Sequence, residues 1–448
     1  MVEINVYRHQ YGVGQGNFHI QELVFSGSGI NETTHRFVYD CGGYLKTVDW
    51  CIKHAAPGPA RLEVDAVYLS HFESDHINGL TTLCANADVG RIYAPHIDKA
   101  QAAHILAMQI SNEGGWNIEL QSFVSTVVAV ASGGPVNGVP VTQIRGGDSR
   151  PGPQAEQLTE PLTDFNREQQ ITVRAPTGSV ETHAERVIIS SPGGPTAARV
   201  ELWEMVHWYY AAHSNITTGI LDALRADFPE FKMDVEPGLE VNASLAAAAV
   251  TLIWMQKHFK AIAATYKKVM KAHNVARLAN GDPPIADNHN VASLCLYSGP
   301  VPVYDRPVQY MSRPQPSAYW YSARSRFYIR PYLDLPHHRT AWLGTGDAML
   351  KDPQVWGEFE SHFNNTRLDG CLTVQVPHHG ADAPSSNNYN PKLIRRYQNC
   401  VISAGANSKH GHPHKNVVKD ILAKPAMLQL VNENDPIGFV EHIKFQRK

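Results

Sequence analysis

Residues 65–79, which read DAVYLSHFESDHING, contain a short apolar run that passes directly into a cluster of possible metal ligands. The apolar run has the composition of a buried β-strand. The four candidate ligands follow within six positions and are His71, Glu73, Asp75 and His76. Because a strand end holds the backbone rigid, a short loop leaving it can direct several side chains at one point. Mixed nitrogen and oxygen donors suit a catalytic zinc, manganese or iron site better than a closed structural site.

The composition of the chain gives no global signal for a polyanionic partner. The chain has 448 residues, 18% of them charged, and a net charge of -3. Attraction to a nucleic acid must therefore come from a local basic patch or from bound metal ions. The length predicts two to three domains, or one large domain with an insertion.

Cysteine spacing and hydropathy predict a cytoplasmic protein that makes no contact with a membrane. The six cysteines form no close pairs, which argues against a disulfide framework and against a structural zinc knot. The N-terminus lacks the basic and apolar segments of a signal peptide. The longest apolar stretch, residues 246–255, is about half as long as a helix that crosses a bilayer.

Three apolar strands in the second half of the chain also end in side chains that can bind a metal or a phosphate. The first precedes a Thr-Gly-Asp turn, the second a His-His-Gly turn and the third a histidine-rich turn. The candidate side chains at these ends are Asp347, His378, His379, Asn407, Lys409 and His412. Strand ends at one edge of a sheet converge in space, and catalytic residues favour loops held by such scaffolds. The repetition is more specific than any single motif.

These motifs and their order resemble a metallo-β-lactamase-fold hydrolase, and the chain is most similar to the soluble hydrolase domain of ComEC-type competence proteins. Besides the turns above, the matching motifs are Val13-Gly14-Gln15-Gly16, Asp40 before a glycine turn, and Asn290 with Ser293-Leu294. The resemblance covers about residues 1–110 and 286–448. It implies an α/β fold, namely an αββα sandwich whose two halves are residues 1–177 and 286–448.

The residues between these halves, 178–285, are predicted to form a mainly helical insertion. Apolar residues at helical spacing occupy residues 195–278, beginning with Trp203, Val206 and Trp208. Residues 121–145 alternate in the manner of β-strands with glycine and proline turns. Both local assignments are expectations that a structure can test.

The resemblance implies two divalent metal ions, Zn²⁺ or Mn²⁺, and it implies their ligands. His71 and Glu73 would serve one metal, and Asp75 and His76 the other. Asp347 would bridge the two metals, and either His378 or His379 would complete the second site. Glu73 stands where the family has His or Asp, and its longer carboxylate favours a harder metal such as Mn²⁺. A Gly-His-(Thr/Ser)-Pro-Gly turn, which supplies a further histidine in many members, is missing between residues 76 and 347.

The resemblance also implies roles in catalysis and substrate binding. Asp75 would orient the nucleophile, and His412 would contact the phosphate or protonate the leaving oxygen. Asp40 and Gln15 would support the ligand loop without binding metal. The remaining predicted substrate contacts are Asn407, Lys409, Arg324 and Arg326.

Two basic segments are candidates for nucleic-acid contact. In the first, arginines are interleaved with aromatic residues, a pattern that can bind a backbone and stack bases. The arginines are Arg313, Arg324, Arg326 and Arg330, and the aromatic residues are Tyr319, Trp320, Tyr321, Phe327 and Tyr328. A second set of basic residues lies largely on one predicted helix face, where either an acidic ligand or water could face them. This set is Lys257, Lys260, Lys267, Lys268 and Lys271.

The predicted function is a metal-dependent phosphodiesterase that cleaves nucleic acid, foremost DNA. A role in defence against foreign DNA, held in check by a protein partner, follows from family analogy alone. Two alternatives stay open, namely a hydrolase of a small phosphodiester or lactone, such as a cyclic nucleotide, and a degenerate regulatory module without activity. A closed aromatic pocket would favour the small substrate, and an open basic groove would favour the nuclease. The oligomeric state is not predicted.

Overall fold

The computed structural model describes most of the chain, and the structural statements below refer to the described residues. These are residues 2–27, 30–55, 61–144, 171–174, 186–190, 201–211, 215–230, 241–281, 292–301, 307–313, 339–382, 388–395 and 398–447.

The first sheet contains eight strands of the described chain. They are β1 (Val2–Gln10), β2 (Phe18–Gly27), β3 (Ile30–Cys41), β4 (Leu62–Tyr68), β5 (Ala87–Pro95), β6 (Val141–Ile144), β11 (Pro307–Arg313) and β16 (Phe439–Arg447). Their order is β11-β16-β1-β2-β3-β4-β5-β6. Strands β3 to β6 are parallel, and the other neighbours are antiparallel.

The second sheet also contains eight described strands, in the order β15-β14-β13-β12-β10-β9-β8-β7. They are β7 (Ile171–Arg174), β8 (Arg186–Ser190), β9 (Glu201–Ala211), β10 (Ala292–Pro300), β12 (Ala341–Gly344), β13 (Cys371–Gln375), β14 (Asn399–Ser403) and β15 (Met427–Val431). Strands β12 to β15 are parallel. Each sheet therefore has a parallel half whose strand ends can carry a site.

Helices pack on the outer faces of both sheets. The described helices are α1 (Leu45–Ala55), α2 (Ser74–Ile77), α3 (Leu80–Asn86), α4 (Lys99–Asn112), α5 (Ile118–Ala131), α6 (Asn215–Asp227), α7 (Val241–Ala279), α8 (Pro353–Gly370) and α9 (Lys415–Ala423). Helices α1 and α3 to α7 share an apolar cluster with the first sheet, and α8 and α9 share one with the second.

A third apolar cluster lies between the two sheets, and strand alternation explains it. Val38 and Val67 point to the outer helices, while the next residues, Tyr39 and Tyr68, point to the second sheet. Such alternation places successive side chains on opposite faces of a strand. Trp342 of β12 meets this inner layer from the opposite side. The order helix, sheet, sheet, helix confirms the predicted αββα sandwich.

The structure corrects two local assignments. Glu201–Ala211 is strand β9, so the helical prediction around Trp203 is wrong. Residues 202–208 are all buried, including Glu204 and His207, so this strand has no solvent-facing side and its polar residues mark no readable period. Ile118–Ala131 is helix α5, so the β-strand prediction there is also wrong, because packing overrides the β-branched composition. The Asn117 side chain accepts a hydrogen bond from the Leu120 amide and marks the start of that helix.

The predicted boundaries at residues 177 and 285 stay a prediction. Residues 178–285 contribute β8 and β9 to the second sheet, and they also contain α6 and α7. Across the described residues, no helix has the length and apolar character required to cross a membrane.

Candidate metal centre

The candidate ligands lie where parallel strands of both sheets end. Asp40 is at the end of β3, and His71 follows β4 in the first sheet. Asp347 follows β12, and His378 follows β13 in the second sheet. Side chains that leave the carboxyl ends of parallel strands meet in one crevice. The two sheets thus bring together residues that are far apart in the chain.

Two groups of side chains have the geometry to hold a metal ion. One contains His71, His76 and Asp347, and the other contains Asp75, His76 and His379. Within each group the candidate ligand atoms lie within 4.8 Å of one another. His76 belongs to both groups, so it stands at the junction of two adjacent centres.

Both histidines of the His-His-Gly turn point into the site, and they face different carboxylates. His378 Nε2 lies 3.6 Å from Asp347 Oδ2. His379 Nε2 lies 3.3 Å from Asp75 Oδ2. Asp347 also approaches His71 Nε2 at 3.7 Å and His76 Nε2 at 3.8 Å. Asp347 is therefore surrounded by three imidazoles.

Hydrogen bonds to the outer ring nitrogens orient the histidines of the first sheet. His76 Nδ1 donates to Asp40 Oδ2 at 2.8 Å. The Ser70 hydroxyl donates to the same carboxylate oxygen at 2.7 Å, which leaves its lone pairs to accept from His71 Nδ1 at 2.8 Å. With the proton on Nδ1, each Nε2 keeps its lone pair for a metal.

The histidines of the second sheet are oriented in the same way by different acceptors. His378 Nδ1 lies 2.8 Å from Asn388 Oδ1, and His379 Nδ1 lies 2.7 Å from the Ser403 carbonyl oxygen. Asn388 also donates through Nδ2 to the Asp347 carbonyl at 2.5 Å, so one amide positions two elements of the site. Such outer partners set the tautomer and the direction of a metal-binding imidazole.

Buried polar atoms at the centre test whether these residues fit a metal. In the described part of the chain, no hydrogen-bond partner reaches the Nε2 atoms of His71 and His76 or Oε1 of Glu73. Burying such atoms without a partner is costly. A divalent cation would satisfy the two imidazoles, whereas the predicted ligand Glu73 belongs to neither of the two groups above. The imidazole and aspartate donors of these groups suit zinc or manganese. The residues therefore fit the implied metals.

The surroundings of the site shift the pKa values of its carboxyl groups in opposite directions. Burial raises the pKa of Glu73 well above its ordinary value, and the charges of Asp75 and Asp347 add to this effect. Burial acts in the same direction on Asp75 and Asp347, but neighbouring imidazoles outweigh it and hold the pKa of both carboxyls below the usual range. Negative charge is thus concentrated on the two aspartates that face histidines.

The pKa values of the two imidazoles in the first sheet are also shifted in opposite directions. Burial, together with the neighbouring His76, lowers the pKa of His71 to about 4. Burial would lower the pKa of His76 as well, but the carboxylates of Asp40 and Asp75 outweigh it and raise that pKa to about 10. Above pH 5 the His71 ring is therefore neutral, and its Nε2 lone pair is available to a metal. The His76 ring must lose a proton before it binds a metal.

Backbone strain is concentrated at the site. Asp40, His378 and His379 have φ angles of 57°, 49° and 53°, in the left-handed region. Among the described residues other than glycine, only Asn137 and Asn364 share this region, and asparagine tolerates it better than most residues. Strained backbone of this kind persists where the surrounding structure requires a particular side-chain direction.

The glycine-rich turn of the N-terminal segment supports the ligand loop from below. A Cβ atom at Gly16 or at Gly42 would lie 2.5 Å from the carbonyl oxygen of Asp75. The amide of Asn17 donates to that carbonyl at 3.2 Å. Only glycine permits this close approach, which explains Gly16 of the Val13-Gly14-Gln15-Gly16 motif and Gly42 of the turn after β3.

The remaining predicted residues occupy different places. Gln15 Nε2 lies 3.4 Å from His412 Nδ1, so Gln15 contacts the histidine-rich turn rather than the ligand loop. The His412 ring lies 5.6 Å from the His378 ring, measured between centroids. Asn407 and Lys409 are exposed on the same turn. Arg324 and Arg326 lie outside the described residues.

Sequence reasoning named Asp40 but missed the other residues that orient the ligands. Ser70 immediately precedes His71, and its position at a strand end beside a ligand was a readable signal. Asn17, whose Nδ2 donates to Asp40 Oδ2 at 2.9 Å, stands directly after the glycine motif. Asn388 and Ser403 belong to no pattern in the sequence, because their contacts exist only once the second sheet has formed.

Comparisons with known proteins give similar folds and no family. No family model matches the chain, and no curated protein matches it. Among solved structures, a long form RNase Z from yeast is 7% identical with a TM-score of 0.27, and the similarity covers 83% of this chain and 32% of that one. This chain thus spans about a third of the yeast protein.

Two metallo-β-lactamases are also similar. A subclass B3 enzyme from a soil metagenome library is 12% identical over 43% of this chain and 61% of its own, with a TM-score of 0.16. The metallo-β-lactamase SMB-1 bound to 2-mercaptoethanesulfonate is 13% identical over 61% of this chain and 97% of its own, with a TM-score of 0.17. All three TM-scores are low, and no function is transferred from these structures. The resemblance to ComEC-type hydrolases stays a prediction.

Proposed function

We propose that the protein is a metal-dependent hydrolase that cleaves phosphodiester bonds in nucleic acid, with DNA as the first candidate. The observation that carries this proposal is the convergence of four imidazoles and two aspartates at the strand ends of two sheets, with each outer ring nitrogen already held. These six residues are His71, Asp75, His76, Asp347, His378 and His379.

The geometry supports a division of the ligands between two metal ions. His71, Asp347 and His378 face one position, and Asp75 and His379 face the other, with His76 between them. Glu73 contributes a buried carboxylate near both aspartates and favours Mn²⁺ over Zn²⁺. When bound, divalent metals at this site would supply a water nucleophile at neutral pH and offset the charge on a phosphate.

Differences in exposure indicate the side from which a substrate arrives. The side chains of His71, His76 and Asp347 are 1% exposed, whereas those of Asp75 and His378 are 26% and 16% exposed. The site therefore opens to solvent beside Asp75 and His378. We assign to Asp75 the orientation of the attacking water, because its carboxylate is both accessible and ionised.

The histidine-rich turn forms the rim of this opening. Burial and then the imidazoles of His379 and His378 lower the pKa of His412 to about 3, so this ring is neutral at pH 7. We therefore assign His412 a hydrogen bond to a phosphate oxygen in the ground state. An adjacent phosphate anion would raise its pKa toward the range in which it can protonate the leaving oxygen. Asn407 and Lys409, exposed on the same turn, are the proposed further contacts.

Cleavage of single- and double-stranded DNA by the purified protein tests the proposal. The reactions contain Mn²⁺, Mg²⁺ or Zn²⁺, and the site variants are Asp75→Ala and His76→Ala. We expect metal-dependent cleavage whose rate falls by more than about 100-fold in either variant. Loss of a residue that only supports a metal ligand already lowers activity by about 10–100-fold, and these two residues are candidate ligands themselves. His54→Ala and Asp88→Ala, at exposed positions, are matched controls that should retain activity.

Two results would contradict the proposal in different ways. If no metal supports cleavage although the protein binds about two metal ions per chain, the result would favour a small phosphodiester over nucleic acid as the substrate. Absence of bound metal in a folded protein would favour the non-enzymatic module.

A role in defence against foreign DNA under the control of a protein partner is the biological extension that we propose. Protection of cells against phage by the wild-type protein, but not by His76→Ala, tests it.

A further inference from the structure

Helix α7 carries a long basic surface that the metal centre does not use. Its 39 residues contain no aspartate and no glutamate. Five lysines on it are exposed, namely Lys257, Lys260, Lys267, Lys268 and Lys271. Because the whole chain has a net charge of -3, this surface is a local excess of positive charge on a protein that is slightly acidic.

The five lysines share one face of the helix. At 100° per residue, positions 257, 260, 267, 268 and 271 fall within an arc of about 100°. The opposite face is buried, and Met255, Ile262, Tyr266 and Met270 pack there against the helices of the first sheet. The ring of Tyr266, for example, lies 5.9 Å from that of His104 on α4, measured between ring centroids. Packing therefore fixes the direction in which the lysines point.

We propose that this lysine face, residues 257–271 of α7, binds the phosphate backbone of a nucleic acid. The inference rests on the proposed function. It adds a second contact with the substrate, located outside the metal centre. Charge complementarity is the argument, because a row of lysines without intervening acids matches a row of phosphates. Glu230 is an exposed acid close to the N-terminal end of this row, where it lies 3.9 Å from His258 Nε2.

The dimensions of the face fit a nucleic acid. From Lys257 to Lys271 the helix rises about 21 Å, at 1.5 Å per residue. That length corresponds to about six base pairs at 3.4 Å per step. The face can therefore contact several phosphates of one duplex.

The apolar face of α7 excludes a membrane surface as the preferred occupant. A helix that binds a bilayer buries its own apolar face among the lipids. Here that face is already covered by α4, α5 and α6. The exposed apolar residues Val250, Ile253, Val275 and Leu278 lie beyond the two ends of the lysine row and form no continuous strip along it.

The topology relates the face to the metal centre. Helix α7 packs on α4, which follows strand β5. Strand β5 is parallel to β4, with Tyr93 beside Tyr68, so α4 begins at the sheet edge where the ligand loop begins. A polynucleotide carries enough phosphates to occupy the lysine row, which is about 21 Å long, whereas a mononucleotide does not.

Binding of a fluorescent DNA duplex of about 20 base pairs, measured with EDTA to prevent cleavage, tests the proposal. The test variant replaces Lys257, Lys260, Lys267 and Lys271 by glutamine. A matched variant replaces four exposed lysines elsewhere by glutamine, namely Lys53, Lys351, Lys392 and Lys419. We expect the test variant to lose at least tenfold in affinity and to reduce the slope of log affinity against log salt by about 3 to 4. The matched variant should retain at least half the affinity.

Equal losses in the two variants, or no binding of DNA by the wild-type protein, would overturn the proposal. Binding to phosphatidylserine vesicles that depends on these lysines, together with DNA binding that does not, would overturn it in favour of a membrane. Hydrolysis of bis(p-nitrophenyl) phosphate separates this question from the proposed function, because an ester with a single phosphate cannot occupy a row of lysines about 21 Å long. If both proteins hydrolyse the ester equally and only DNA affinity falls, both proposals stand. If neither hydrolyses it and DNA affinity still falls, the lysine face stands and the proposed function fails.

Discussion

His76 and His379 each have a hydrogen bond to the outer ring nitrogen, but the segments that carry the two rings are held by different physical means. His76 belongs to a loop that is fixed by side-chain hydrogen bonds, chiefly through Asp40, which accepts from Ser70, Asn17 and His76 itself. His379 belongs to a turn in which two successive residues adopt left-handed backbone angles. The first loop depends on a polar network, and the second turn depends on an unfavourable conformation.

This difference predicts which substitutions will disturb each half of the site. A buried network loses its function when one member loses its charge, because the remaining polar atoms are left unsatisfied. A strained turn instead carries a cost of roughly 1–2 kcal/mol per residue that the folded protein must offset continuously. Substitutions in the two regions should therefore have effects of different kind.

The largest expected effect comes from Asp40→Asn in the loop. Asparagine keeps the left-handed φ of 57° and the shape of the side chain, but it removes the charge that faces His76. We expect metal affinity, measured by competition with a chromogenic chelator, to fall by 10–100-fold. Asp88→Asn, at an exposed position, should leave the affinity unchanged. If Asp40→Asn binds metal as tightly as the wild type, the network does not position the loop.

The next effect concerns protons and distinguishes two histidines of that loop. The pKa of His76 is raised to about 10, so its proton must leave when a metal binds at pH 7. The affinity for metal should therefore rise with pH above 7, by at most about tenfold per unit for one proton. His71, whose pKa is about 4, adds no dependence in this range.

Calorimetric titration in two buffers with different heats of ionisation measures the protons released. We expect release at pH 7 in the wild type and less in Asp40→Asn, because Asp40 is a main cause of the raised pKa of His76. Equal heats in the two buffers, after correction for dilution, would contradict this assignment.

The smallest expected effect concerns the strained turn. His378→Gly and His378→Ala both remove the imidazole, and they differ in their tolerance of a φ of 49°. We expect the glycine variant to have the larger free energy of unfolding, by about 1 kcal/mol, in denaturant titrations of the metal-free proteins. At exposed Gln121 in helix α5 the order should reverse by a similar amount, since alanine favours a helix. An alanine variant at 378 that equals the glycine variant would show that the turn is not strained.

The family resemblance of the motifs implied the two-sheet architecture, whereas the convergence of donors was predicted from apolar strands that run directly into polar residues. That local signal is present around His71, Asp347 and His378. It is missing for Asn388, which lies in a loop and meets His378 only through the tertiary fold. Strand β9 was mistaken for a helix for a related reason, since burial on both faces removes the alternation that identifies a strand.

The separation of the ligands along the chain has a consequence for how the protein acquires its activity. His76 and Asp347 are brought together from opposite halves of the chain, and long-range contacts of this kind form slowly. A chain in which the second sheet has not formed lacks the Asp347 carboxylate and the His378 and His379 imidazoles that follow its strands. Such a chain lacks part of the candidate ligand set, so the proposed hydrolase activity requires both sheets to be assembled.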